Sequence, residues 1–185
     1  KAKKQQRPED QNNIEIKESP KWMVERLKAS GIRSINNVVD ISNYVMLEIG
    51  HPTHIFDYKS LKNKEIKIRR AVLNEPFETL DGLSYNLKQE NLVITDGQSP
   101  IALAGIMGGS KSSVKKGTTT VLVESAYFNP ITIRKSSKIL SISTDASKRF
   151  ERGADPNICD KAFWRIINLL HEHANGNLVS KMIDE

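Results

Sequence analysis

Residues 36–57, NNVVDISNYVMLEIGHPTHIFD, decide how this chain is read. Val38, Val39, Ile41, Val45, Met46 and Leu47 recur at helical spacing, Gly50 stands just past the last turn, and Pro52 forbids continuation. The spacing predicts a helix from about Asn36 to Gly50, with His51 and His54 on the loop that leaves its C-terminus. Asn43 joins the two histidines there, so a polar constellation is being assembled where a core alone needs none.

Upstream of this stretch, Ile14 and Ile16 alternate as a short strand does. Ser19 and Pro20 then supply an N-cap and first-turn signal for a helix through Trp22, Met23 and Leu27, ended by Gly31. Downstream, residues 65–71 alternate Ile66 and Ile68 with Lys67 and Arg69, a half-buried strand. Residues 77–87 predict a hairpin around Asp81-Gly82, the dipeptide suited to a type I′ turn, and residues 92–95 and 101–104 bracket Asp96-Gly97 in the same way. The β-branched run 119–126, TTVLVESA, is expected in the middle of a sheet. Asn129-Pro130 opens a helix through Ile131, Ile133 and Ile139; Asp155-Pro156 opens another through Ala162, Phe163, Ile166 and Leu170, closed by Gly176. Helices, then strands, then helices is not a strict βαβ alternation. The order favours an α+β fold of antiparallel or mixed sheets flanked by helices in a single compact domain.

At 185 residues, with 38% hydrophobic and 27% charged side chains, the chain has ordinary globular composition and length for one sizeable core. Residues 1–13 are basic and aperiodic, a flexible tail or linker remnant, and the domain is expected over 14–185. A first residue of Lys rather than Met suggests a piece of something longer. Twenty-eight Lys and Arg against 22 Asp and Glu give a net charge of +6, a mild bias towards phosphate-bearing partners that identifies none of them. The single Cys159 excludes an internal disulfide framework and fits a reducing compartment. No apolar run approaches the roughly 20 residues needed to span a bilayer, and the N-terminus lacks a signal-peptide core, so a cytoplasmic protein without a membrane partner is expected.

Four features bear on chemistry. Residues 103–112, LAGIMGGSKS, come within one residue of a phosphate-binding loop, but Ser110 stands where the second glycine belongs and SSVKKGTTT does not start a helix. Gly105, Gly108 and Gly109 either shape a loop or let backbone approach a ligand or another chain closely. His51-Pro-Thr-His54 lacks a third ligand and holds a rigid proline, which makes a poor metal site; no metal is expected. A neutral imidazole can instead orient or activate water, or simply pack. Glu124 drops a carboxylate into the most strand-like apolar run of the chain. Alternation puts Val121, Val123 and Ser125 on one face and Leu122, Glu124 and Ala126 on the other, so Glu124 lies at the rim of a pocket or at a strand end in water. Residues 143–155, STDASKRFERGAD, set Lys148, Arg149, Glu151 and Arg152 around Phe150: either a solvated helix face or, with Arg134 and Lys135, anchors for phosphate.

With NNVVDISNYVMLE…HPTHIFD, LAGIMGG, the strand carrying Glu124 and TDASKRFERGAD in this order, the chain resembles the editing module of the beta subunit of bacterial-type phenylalanine-tRNA ligase, over residues 20–176. The resemblance implies a hydrolytic site, apart from the synthetic one, that clears tyrosine wrongly esterified to phenylalanine tRNA. It implies that His54 and Glu124 line the pocket with Asn43 beside them, that Gly105 lies on the pocket's glycine loop, and that Thr144 and Ala146 shape the amino-acid side. Ser42 stands where relatives often have Thr and keeps the hydroxyl. His51 stands where they often have Gln, which argues against it as the working histidine. The implied partners are the mischarged 3′ end of phenylalanine tRNA, the remainder of the beta subunit and the alpha subunit; no cofactor is implied for this segment. Arg134, Lys135, Lys148 and Arg149 would add sequence-independent affinity for the tRNA.

The chemistry fits that role. Tyrosine exceeds phenylalanine by one hydroxyl, so a site that only excluded bulk would never keep the smaller residue out. A carboxylate that accepts the phenol O–H favours tyrosine and is left desolvated by phenylalanine, and Glu124 is the candidate. Two other readings stand beside it: a non-catalytic tRNA-contacting or subunit-assembly module of the same fold, and a free-standing deacylase.

Overall fold

The computed structural model describes residues 13–183, so the tail expected over 1–13 lies, apart from Asn13, outside the described residues. Among them are five α-helices, α1 (Lys21–Ala29), α2 (Asn37–Ile49), α3 (Pro130–Leu140), α4 (Asp145–Phe150) and α5 (Cys159–Ala174). Eight short strands complete the fold: β1 (His54–Asp57), β2 (Lys67–Arg70), β3 (Glu75–Glu78), β4 (Ser84–Leu87), β5 (Leu92–Thr95), β6 (Pro100–Leu103), β7 (Met107–Gly108) and β8 (Val121–Glu124). Every strand pairing is antiparallel, and the class is α+β, as expected.

α2 forms where its periodicity puts it. The Asn36 side chain accepts the N–H groups of Val38 and Val39, and Gly50 ends the helix in the left-handed conformation at φ 82°. Val38, Ile41 and Val45 are fully buried in a helical core shared with Met23 and Leu27 of α1 and Ile166 and Leu169 of α5. Asp40, also buried, ties the entry to α1 and α2 together by accepting Ser19 Oγ, Ser34 Oγ and the Ile35 N–H.

A second core lies among the strands. β2, β5, β6 and β7 form a four-stranded sheet in that order, β3 and β4 a separate hairpin, and β1 and β8 a two-stranded ribbon. The ribbon divides the two cores. Phe56 and Leu122 point into the strand core, while Ile55, Val121 and Val123 pack on the helices. Burying Phe56 completely contributes about 1.5 to 3 kcal/mol to holding the ribbon in place.

Several local expectations are corrected. β8 lies in a ribbon, not in the middle of a sheet; its apolar faces are covered by two cores instead of by strands on both edges. His54 opens β1 and is not on the loop, which spans only residues 51–53. Ile14 and Ile16 form no strand; the Ile14 N–H donates to the Thr119 carbonyl at 2.9 Å. Ser19 does not cap α1, because its hydroxyl is drawn to Asp40; Pro20 takes the cap position with no side-chain bond. Only Gly82 in the 79–83 loop has positive φ, so the turn is not type I′. Ile68 is half exposed, so the alternation along β2 does not bury it. The residue that closes α5 is Asn175, which caps it in the left-handed conformation, and not Gly176.

Candidate active site

The register of the ribbon sets His54 of β1 directly opposite Glu124 of β8. Residues opposed across an antiparallel ladder share a face, with Cβ atoms about 5 Å apart. That face is the one carrying Phe56 and Leu122 into the strand core, so the imidazole and the carboxyl emerge where this core opens. The opening is a pocket of about 360 Å³, part of it in contact with solvent. Its walls are mostly apolar: Ile94, Leu103, Ile106, Met107, Phe128 and Phe150. Gly105, Gly108 and Ala146 line it too, and Thr53 is the further polar group.

The apolar walls explain the electrostatics. Burial pushes Glu124 up to about 7 and His54 down to about 4, because each loses hydration that favours its charged form. Among the described residues neither side chain makes a hydrogen bond or an ion pair. At neutral pH the pocket thus holds a neutral imidazole and a carboxyl poised between its two states, both with unspent hydrogen-bonding capacity.

Two glycines make room. Gly105 lies at φ +66°, and a Cβ there would stand 2.9 Å from Phe128 and 3.1 Å from Phe150, so the loop after β6 packs backbone against both rings. A Cβ on Gly108 would stand 2.8 Å from His54 Nε2 and closer still to Cε1; the imidazole rests on the bare backbone of β7.

Of the residues expected at the site, His54, Glu124, Gly105 and Ala146 lie together around the pocket. Ser42 and Thr144 reach it through a neighbour. Ser42 Oγ donates to the Thr53 carbonyl at 3.0 Å. Thr144 caps α4, accepting the Ser147 N–H, and its hydroxyl donates to the Ile106 carbonyl at 2.7 Å, which fastens α4 to the glycine loop. Thr144→Val keeps the shape and removes both bonds; a loss of about 1 to 2 kcal/mol is expected in denaturant unfolding. Asn43 sits half-buried on α2 and is not among the lining residues. His51 is buried outside the pocket, its ring edge on Phe150 and Nε2 3.6 Å from Cys159 Sγ, and it joins the α2 exit to the start of α5. Arg134, Lys135, Lys148 and Arg149 lie outside the pocket on α3 and α4; Arg134 donates to the Glu151 carbonyl at 2.7 Å and Arg149 to the Asp145 carbonyl at 2.8 Å. Sequence reasoning did not single out Phe128, Met107 or Thr53 for the pocket. Apolar side chains such as Phe128 and Met107 carry no signal in sequence that separates a pocket wall from a core, and for Thr53 the only signal was its place between two histidines. No group of three His, Cys, Asp or Glu able to hold a metal ion occurs among the described residues.

Residues 11–175 match the family described as the B3/4 domain. The chain is 49% identical over 173 residues to the phenylalanine-tRNA ligase beta subunit of Protochlamydia amoebophila, covering 94% of this chain and 22% of that protein. It is 51% identical to that of Geobacter sulfurreducens (90% and 21%) and 47% identical to that of Thermotoga maritima (92% and 22%). The chain thus spans about a fifth of the length of the relatives it matches. The chain belongs to the B3/4 domain family and corresponds to that module of a phenylalanine-tRNA ligase beta subunit.

Proposed function

We propose that the pocket is a post-transfer editing site, which hydrolyses the ester joining tyrosine to the 3′ end of phenylalanine tRNA. The observation that carries this reading is the placement of Glu124 opposite His54 in the lining of an apolar pocket. An aromatic side chain enters among Ile94, Met107 and Phe128, and its hydroxyl donates to the Glu124 carboxylate. Phenylalanine would strand that carboxylate without a partner, at a cost of about 1 to 3 kcal/mol. At the ester end, attack needs a positioned water and donors for the developing oxyanion, and the backbone amides near Gly105 are candidates for the second task. His54 stays neutral over the physiological range. Being a weak base, it serves better to orient the water by hydrogen bonding than to carry its proton away.

One observation favours a second role for Glu124. A carboxyl near 7 matches the working pH of a general base, so Glu124 can activate the water in place of reading the phenol. The tRNA, the remainder of the beta subunit, the alpha subunit and a cytoplasmic setting belong to the same proposal. No described helix is long and apolar enough to cross a membrane.

Deacylation of tyrosyl and phenylalanyl phenylalanine-tRNA by the assembled ligase tests the proposal. His54→Ala is expected to slow tyrosyl ester hydrolysis about tenfold, with aminoacylation retained. A module that only contacts tRNA or assembles subunits predicts the same hydrolysis rate in both proteins.

A further inference from the structure

The tip of the β3–β4 hairpin is fastened to the strand that supports His54. Thr79 pairs with Gly109 in an isolated antiparallel bridge, and the Leu80 N–H donates to the Gly108 carbonyl at 3.1 Å. This anchor sets the Leu80 side chain over β7. The point where a Gly108 Cβ would stand lies 3.0 Å from Leu80 Cδ1 and 2.8 Å from His54 Nε2, so leucine and imidazole close over the same glycine. Phe56 meets the imidazole edge to face, with ring centroids 4.4 Å apart. Yet Leu80 is 49% exposed, more than a residue spent on core packing would be.

We propose that Leu80 is a positioning residue for His54, holding the imidazole against the Gly108 backbone and screening it from water. The part that concerns ester hydrolysis rests on the editing reading above. Among the titratable groups on the elements around the imidazole, Glu124 stands across the ladder, and Asp57 at the far end of β1 accepts the Lys59 N–H and the Thr118 hydroxyl. On the hairpin, Glu75 is paired with Arg69, Glu78 is exposed, Tyr85 is half-buried and Asp81 is engaged by the Thr79 hydroxyl. Leu80 adds no charge, so its truncation changes hydration and placement alone. The low pKa of His54, with burial as its cause, agrees with such a cover.

The test compares Leu80→Ala with the conservative Leu80→Met. In the 185-residue chain, the His54 ring C–H resonances are followed by NMR through a pH titration. The expected result is a His54 pKa that climbs from about 4 towards 6.5 in Leu80→Ala and stays near its original value in Leu80→Met. In the ligase, tyrosyl ester hydrolysis by Leu80→Ala should lose about threefold more at pH 6 than at pH 8, and Leu80→Met should restore the profile. A His54 titration unmoved by Leu80→Ala overturns the proposal. If the titration moves while wild-type ligase hydrolyses no tyrosyl ester, Leu80 keeps its positioning role and the editing reading fails.

Discussion

Glu124→Ala in the ligase is expected to lower the ratio of tyrosyl to phenylalanyl ester hydrolysis about 10- to 100-fold, mainly by admitting phenylalanine. The ratio also separates the two roles open to this carboxyl. A reader of the phenol loses selectivity when removed, whereas a general base slows both esters alike and leaves their ratio intact. The pH dependence sharpens the distinction. Because Glu124 is raised to about 7, the charge that phenylalanine strands exists mainly above that pH. Wild-type selectivity should therefore rise as pH climbs through 7, and Glu124→Gln should flatten it.

The same carboxyl leaves a mark on stability. A folded-state pKa above the unfolded value of 4.5 means that the native protein binds the proton more tightly, so stability falls as pH rises from 4.5 through about 7. His54, lowered from 6.5 to about 4, has the opposite slope and costs stability as pH falls from 6.5 through 4. Glu124→Gln is thus expected to stabilise the chain at pH 8 by about 2 kcal/mol and much less at pH 5, measured by thermal unfolding. An equal effect at both pH values would mean that the native pocket does not hold the carboxyl in its protonated form.

The legible parts of the molecule were those whose physics is local. α2 was readable because its apolar spacing, the Asn36 cap and Gly50 all agree within one segment. The conspicuous carboxylate of Glu124 was readable as out of keeping with its neighbours. Its position opposite His54 was not, because strand register is set by contacts between distant segments and by the two cores that clamp the ribbon. β8 misled for the same reason: a β-branched run reports that both faces are buried, and not whether strands or helices bury them. Ser19 misled because a Ser-Pro pair looks like a cap until a buried carboxylate from another helix competes for the hydroxyl. The apolar walls were hidden in principle. Phe128 and Phe150 pack on one another, with ring centroids 5.2 Å apart, and nothing in sequence separates a core phenylalanine from one whose other face lines a pocket.

Gly108→Ala is expected to reduce tyrosyl ester hydrolysis about tenfold, as much as His54→Ala, while leaving the chain folded, because the intruding methyl meets a side chain that can swing away. Gly108 has no positive φ, so alanine fits the backbone without strain. The Cβ lands 2.8 Å from His54 Nε2, and the imidazole must turn out of its place over β7. A displacement of about 1 Å is enough for a loss of this size when the affected group positions a reactant. Gly109→Ala provides the contrast one residue on. There the methyl would stand 2.7 Å from the Ile101 backbone carbonyl, which cannot rotate aside because it accepts the Gly109 N–H and Ser112 Oγ. That variant should lose stability in unfolding experiments, whereas Gly108→Ala should unfold within about 1 kcal/mol of wild type. Retained hydrolysis by folded Gly108→Ala would show that the location of His54 against β7 is immaterial to the chemistry.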